Sequence, residues 1–295
     1  MTTPGPRTDA EVPGYLSRLG IPGLADIHVH FMPDAVLNKV WDYFDHADTN
    51  YGTPWPITYR LPEDERIEQL RTLGVRYIPS LNYAHKPGMA TWLNEWNREF
   101  AGRVDGAVHS ATFYPEPGAA AYVRQAMDAG ARLWKVHVSV SAFTPEDPLL
   151  DDVWPLIDEA GTPVVIHAGS GPLAGEFTGP EPVRRLLERH PRLPLVIAHL
   201  GMPEYDAFAD LAQQYERVHL DTTMVATDFT ERLAPLPDGY VDRLGSLSDK
   251  VVLGTDFPNI PYAYAHQIEA LARLDLGDEW MRKVLWHNGH RLMGA

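Results

Sequence analysis

His28 and His30 bracket a single valine in Asp26-Ile27-His28-Val29-His30. Residues two apart in an extended chain point to the same side, so both imidazoles can reach one cation. A lone His-x-His pair is weak evidence for a metal, because partly buried histidines are common. The pattern recurs, however. The apolar run 163–167 stops at His167, the run 195–199 at His199 and the run 251–256 at Asp256. Each run ends, at its C-terminal side, on an imidazole or a carboxylate. The chain has no cysteine, which leaves His, Asp, Glu or a modified Lys to hold a metal.

These positions fall within a larger alternation. Short runs rich in Val, Ile and Leu predict eight strands, at 23–30, 75–81, 106–113, 133–138, 163–167, 195–199, 218–221 and 251–256. Helical patterns lie between them. The stretch 61–73 opens with Pro62, Glu63, Asp64 and Glu65 and meets Gly74, which are helix boundary signals. A final amphipathic segment covers 279–292. Strand starts mostly 20–35 residues apart match the size of a βα unit. Eight such units favour a (β/α)8 TIM barrel, an α/β fold, over a doubly wound sheet. In a barrel the C-terminal strand ends converge on one mouth, so four strand ends with ligand-type residues imply a metal site there.

One interval is too long. About fifty residues separate the first two strands, and the excess, 32–60, carries Trp41, Tyr43, Phe44, His46, Tyr51, Trp55 and Tyr59. An aromatic-rich insertion after the first strand suits a substrate wall, a lid or an oligomer contact, or a loop with its own small core. No composition break divides the chain. The expected organisation is a flexible N-terminal tail over 1–20 and one barrel domain over 21–295.

Bulk properties exclude several functions. The 295 residues carry a formal charge of -15, which disfavours a nucleic-acid partner. No run approaches the ~20 apolar residues of a membrane helix, and the polar, Pro-rich start lacks a signal peptide's apolar core. With no cysteine the chain suits a cytoplasmic setting. Phosphate-cradling GxxxxGK[ST], dinucleotide-binding GxGxxG and nucleophile-elbow GxSxG motifs are absent.

The segments Asp26-Ile27-His28-Val29-His30-Phe31-Met32-Pro33, Pro163-Val164-Val165-Ile166-His167, Ala198-His199-Leu200-Gly201 and Gly254-Thr255-Asp256-Phe257-Pro258 resemble the first, fifth, sixth and eighth strand motifs of the amidohydrolase superfamily. Trp286-His287-Asn288-Gly289-His290-Arg291-Leu292 resembles its closing helix. The branch most similar is the amidohydrolase-related one that holds the aminocarboxymuconate-semialdehyde decarboxylase-like enzymes. The resemblance implies that His28, His30, His167 and Asp256 ligate one divalent metal. His199 and Asp256 would be the catalytic residues. Three imidazoles and a carboxylate suit Zn²⁺ best, with Mn²⁺, Fe²⁺ or Co²⁺ as alternatives.

Lys135 shares a strand face with His137. In two-metal relatives a lysine on the fourth strand is carboxylated and bridges two ions, which would make His199 a ligand. The one-metal reading instead makes Lys135 structural or substrate-binding, alongside His137 and His85. Trp134 and Trp154 read as packing residues, and His109 as core or surface. The expected activity is hydrolysis of an amide, ester or lactone bond of a small molecule through a metal-activated water. The alternative is a non-oxidative decarboxylase of a small aromatic or unsaturated acid, which needs a cation such as Arg60, Lys86 or Lys135 for the substrate acid. A barrel without catalysis is a third reading, and a homodimer is the expected assembly.

Overall fold

The computed structural model describes residues 2–294, which divide into two compact units. One comprises Met1–Ile78 with Thr222–Ala295, the other Pro79–Asp221.

The continuous unit is built on a parallel sheet. Strands Ser110–Thr112, Leu133–His137, Val164–His167, Leu195–Ile197 and Val218–Asp221 pair in chain order. Helices Ala119–Asp128, Trp154–Ala160, Pro180–Arg189 and Tyr205–Gln214 make the crossovers. Val164, Val165, Ile166, Leu195, Val196 and Ile197 are all fully buried, which explains why these strands read as unbroken apolar runs. The register sets Trp134 against Val164 and His137 against His167, so the two histidines end adjacent strands side by side. Helix Pro180–Arg189 shows how the sequence encodes a crossover. Pro180 and Glu181 open it, Arg189 closes it, and Val183, Leu186 and Leu187 form its one buried stripe.

The discontinuous unit uses less regular backbone. The segment 24–30, expected as a continuous strand, makes only two parallel bridges, Leu24 to Val75 and Val29 to Phe257. Its other bonds come singly. Ile27 N–H donates to Leu253 O at 2.9 Å, Asp256 N–H to His28 O at 2.9 Å and His30 N–H to Phe257 O at 2.7 Å. The expected strand 251–256 is a ladder only at Val251–Val252, because Asp256 has φ 72° and cannot continue it. The expected strand 75–81 shrinks to Ile78–Pro79, whose proline has no N–H to give a ladder. In the continuous unit, 106–113 splits into Ala107–Val108 and Ser110–Thr112.

The closing segment departs from the single helix expected over 279–292. An α-helix Asp278–Arg282 runs into a π-helical turn Lys283–His287 and then into Asn288–Met293. The turn accompanies two carbonyls that serve other segments. Val284 O accepts Leu253 N–H at 3.0 Å and Leu285 O accepts Ala25 N–H at 2.9 Å. Gly289 permits the approach, since a Cβ there would lie 2.4 Å from Ala25 O. Asn288 Nδ2 donates to Ser248 O at 2.8 Å and Val251 O at 2.7 Å.

Residues 1–20, expected as a flexible tail, hold a 3₁₀ turn at Asp9–Glu11 and a helix at Val12–Leu19. Val12, Tyr15, Leu16 and Leu19 are buried at helical spacing, which gives the segment an apolar face to dock. The Asp9 carboxylate accepts bonds from Tyr59 Oη, from Gln69 Nε2 at 3.1 Å and from Ala265 N–H at 2.9 Å. The insertion contains helices Asp34–Asp45 and Ala47–Tyr51 and a small aromatic core of Tyr43, Phe44, Tyr51 and Trp55. No helix among the described residues is long and apolar enough to cross a membrane.

Candidate metal centre

In the discontinuous unit, His28, His30 and Asp256 gather their ligand atoms within 4.8 Å of one another. Both imidazoles aim Nε2 at the same carboxylate oxygen. His30 Nε2 lies 2.9 Å from Asp256 Oδ1 and His28 Nε2 lies 3.4 Å from it. The rings meet edge to face with centroids 5.1 Å apart. Four ligands about 2.1 Å from a tetrahedral ion are about 3.4 Å from each other, so these separations fit three corners of such a set. His28 is 1% exposed and His30 5%. Two desolvated imidazoles facing one carboxylate form a donor set suited to a borderline divalent cation.

The sequence explains how these side chains are held. Asp26, fully buried, accepts His28 N–H at 3.1 Å on one oxygen. Its other oxygen accepts Thr255 Oγ1 at 2.6 Å and Tyr264 Oη at 2.8 Å. One carboxylate therefore ties the backbone of a candidate ligand to the residue before Asp256. Burial and the Asp26 charge push the Tyr264 phenol well above its usual range, which keeps it a donor. Tyr59 is pushed up likewise by burial and by its bond to Asp9, and its oxygen accepts Tyr264 N–H at 2.6 Å. Near Asp256, burial raises the half-buried Tyr262 phenol well above its usual range, and the Asp256 charge adds to the effect.

The continuous unit carries its own cluster. His137 and His167 stack with centroids 4.0 Å apart, and His167 meets His199 at 4.7 Å. His167 Nε2 is 3.0 Å from Gly171 O. His199 has φ 56° in the turn Ala198–Gly201, and its N–H donates to Asp221 Oδ1 at 2.8 Å. Both residues assigned to catalysis, His199 and Asp256, thus occupy left-handed backbone, a conformation that costs about 1–2 kcal/mol for a residue with a Cβ. Lys135 is 1% exposed, and the Nδ1 of His137 accepts Val140 N–H at 3.3 Å. His85 is exposed.

Several residues around these clusters escaped the sequence reading. Asp221 ends the strand Val218–Asp221 as His167 ends Val164–His167, but His219 interrupts its apolar run and weakens the signal. Thr255 and Tyr264 give no such signal, since their bonds to Asp26 span 229 and 238 positions. Asn259 is the fourth. Its side-chain oxygen accepts Trp41 Nε1 at 3.1 Å and its carbonyl accepts Trp55 Nε1 at 2.7 Å.

The chain belongs to the amidohydrolase family, whose model matches residues 25–295. It has the TIM-barrel fold. An uncharacterized TIM-barrel protein from Bordetella bronchiseptica superposes with a TM-score of 0.68 at 19% identity, covering 91% of this chain and 98% of the other. A protein described as amidohydrolase II gives 0.64 at 20% identity, covering 92% and 99%. A dihydroorotase from Campylobacter jejuni gives 0.50 at 15% identity, covering 92% and 82%. No curated protein sequence matches the chain. Membership makes the protein an enzyme of a family that works with divalent metals, and His28, His30 and Asp256 are its candidate metal site.

Proposed function

We propose that the protein is a metal-dependent hydrolase that opens an amide, ester or lactone bond of a small molecule. The observation that carries this reading is the convergence of His28 Nε2, His30 Nε2 and Asp256 Oδ1 on one point in a chain of the amidohydrolase family. His167 is assigned as a further ligand and His199 as a proton carrier, following the sequence motifs that end strands five and six.

When bound, a divalent cation supplies Lewis acidity to a carbonyl and lowers the pKa of a coordinated water. The chain's own residues divide the remaining work. Asp256 has a carboxylate at which a proton can be taken up as the nucleophile forms. His28 and His30 present lone pairs and keep their rings fixed by burial. His199 returns a proton to the leaving group, and the bond from its N–H to Asp221 fixes its backbone. Lys135, His137 and His85 are assigned to substrate. Zn²⁺ suits the donors best, with Mn²⁺, Fe²⁺ and Co²⁺ next, and a single ion is proposed without a carboxylated Lys135 bridge.

The test combines metal analysis with a substrate panel. The enzyme, stripped by chelator and reloaded with Zn²⁺ or Mn²⁺, is assayed on lactones, esters, amides and carboxylated aromatics. Hydrolysis restored by about one equivalent of metal supports the reading. Release of CO2 without hydrolysis overturns it in favour of decarboxylation.

A further inference from the structure

Two tryptophans of the insertion end on one residue. Trp41, in helix Asp34–Asp45, donates its indole N–H to Asn259 Oδ1, and Trp55 donates its indole N–H to Asn259 O. A third bond lies alongside, from Thr58 N–H to Ile260 O at 2.9 Å. Asn259 N–H in turn donates to Asp256 O at 2.8 Å. The short loop that presents Asp256 is therefore gripped from two sides. The segment 24–30 holds its start through Asp256 N–H to His28 O and His30 N–H to Phe257 O. The insertion holds its end through Asn259 and Ile260.

We propose that Asn259 is a positioning residue for Asp256, and that the insertion 32–60 sets the metal affinity of the centre through it. The inference rests on the metal-centre reading given above. Three observations carry it. First, Asp256 has φ 72°, a left-handed conformation that costs a residue with a Cβ about 1–2 kcal/mol and so draws on the contacts around it. Second, Asn259 is 5% exposed, so water offers its amide little replacement for the Trp41 bond. Third, Trp41 is itself fixed from the side of the histidines. The buried Arg66 guanidinium lies 5.0 Å from the ring of Phe31, the neighbour of His30, and 5.7 Å from that of Trp41. Trp55 packs on Phe229 with centroids 4.7 Å apart.

The carboxylate of Asp256 needs an orientation set to about half an ångström for its Oδ1 to share an ion with two imidazoles. Asn259 passes the position of the insertion to that orientation through one backbone bond. The coupling works in both directions, because a free energy linking two events is reciprocal. A bound ion that fixes Asp256 also fixes the insertion.

Chelator-stripped wild type, Asn259→Ala, Trp41→Phe and the double variant are titrated with Zn²⁺ and with Mn²⁺ by calorimetry, and the melting temperature of each stripped protein is recorded. Asn259→Ala is expected to bind about tenfold more weakly, within the range for residues that orient a ligand. Trp41→Phe keeps an aromatic ring there but removes the indole N–H together with the pyrrole ring, so it carries the test if Asn259→Ala does not fold. The double variant is expected to bind no more weakly than Asn259→Ala, because both changes remove the same bond. Limited proteolysis supplies a readout other than binding: metal is expected to slow cleavage within 34–58 in the wild type and to do so less in Asn259→Ala. Metal affinities within twofold of wild type, with metal protection of 34–58 retained, overturn the proposal and leave the metal centre standing. A wild type that binds neither ion overturns both.

Discussion

Two regions present histidines by different means. In the continuous unit, His137 and His167 end neighbouring strands of a regular parallel ladder, and their ring contact follows from the register. In the discontinuous unit, His28 and His30 sit on backbone that pairs by isolated bridges, and Asp256 sits on a turn with positive φ. The first arrangement is maintained by main-chain bonds that any apolar sequence of the right period can make. The second depends on particular side chains, namely Asp26, Thr255, Tyr264, Asn259 and the two indoles. Regular structure sets a ring to within the tolerance of stacking. A shared ion demands tighter placement, and here individual hydrogen bonds provide it.

The largest expected effect lies at the shared carboxylate. Asp256→Asn keeps the side-chain shape but removes the charge and the proton acceptor. Turnover is expected to fall on the order of 10³-fold with the circular dichroism spectrum unchanged. An active Asp256→Asn enzyme would remove this residue from the chemistry.

Next comes the support beneath the cluster. Asp26→Ala leaves His28 N–H, Thr255 Oγ1 and Tyr264 Oη without the oxygens they now share. A loss on the order of 3 kcal/mol in urea unfolding is expected. A loss under about 0.5 kcal/mol would show that this region needs side-chain bonds no more than the ladder does.

Backbone crowding occurs in both units, at Gly289 as at Gly169, and Gly169 tests it in the regular one. Gly169 follows the strand Val164–His167, and a Cβ there would lie 2.4 Å from Met202 O. Gly169→Ala is expected to cost about 2 kcal/mol by the same measurement, since backbone rather than a flexible side chain must move.

The smallest effect is a pH dependence confined to the same unit. Burial pushes the His109 imidazole below its ordinary value, against a hydrogen bond that its ring donates to the Ala129 backbone carbonyl and that raises it. The unfolded chain therefore binds the proton more readily, and the contribution of neutral His109 is complete above the ordinary value near 6.5. It is lost as pH falls through the lowered folded value. His109→Gln should show a shallower decline in urea midpoint from pH 7 to pH 5 than the wild type. Parallel declines would assign the pH dependence to other groups.

The same contrast decides what could be read from the sequence. Val164-Val165-Ile166-His167 is a local pattern, and both the strand and its terminal histidine follow from it. Asp256 was legible for the same reason, as the polar end of an apolar run, and His28 and His30 from their spacing two apart. Of their supports, Asp26 was legible from its place on the same strand face, and the others were not. Asn259 lies three residues past Asp256 with nothing in its surroundings to mark it, and its partners Trp41 and Trp55 are more than two hundred positions away. The π-helical turn at Lys283–His287 was equally hidden, because its cause is the demand of Leu253 and Ala25 for acceptors rather than any helix-breaking residue. The helix Val12–Leu19 was missed through the weight given to its polar, proline-rich surroundings, although its apolar spacing was present.

The carboxylate of Asp9 has a consequence for how the chain matures. It accepts a bond from the amide of Ala265, 256 positions later. On a ribosome, Asp9 can meet Tyr59 and Gln69 early, but its bond from Ala265 and the bond from Arg282 to Leu19 O must wait, while Pro79–Asp221, whose strands pair in order of emergence, can already assemble. Nascent chains stalled before Ala265 should therefore expose the helix Val12–Leu19 to chaperones, and release should bury it.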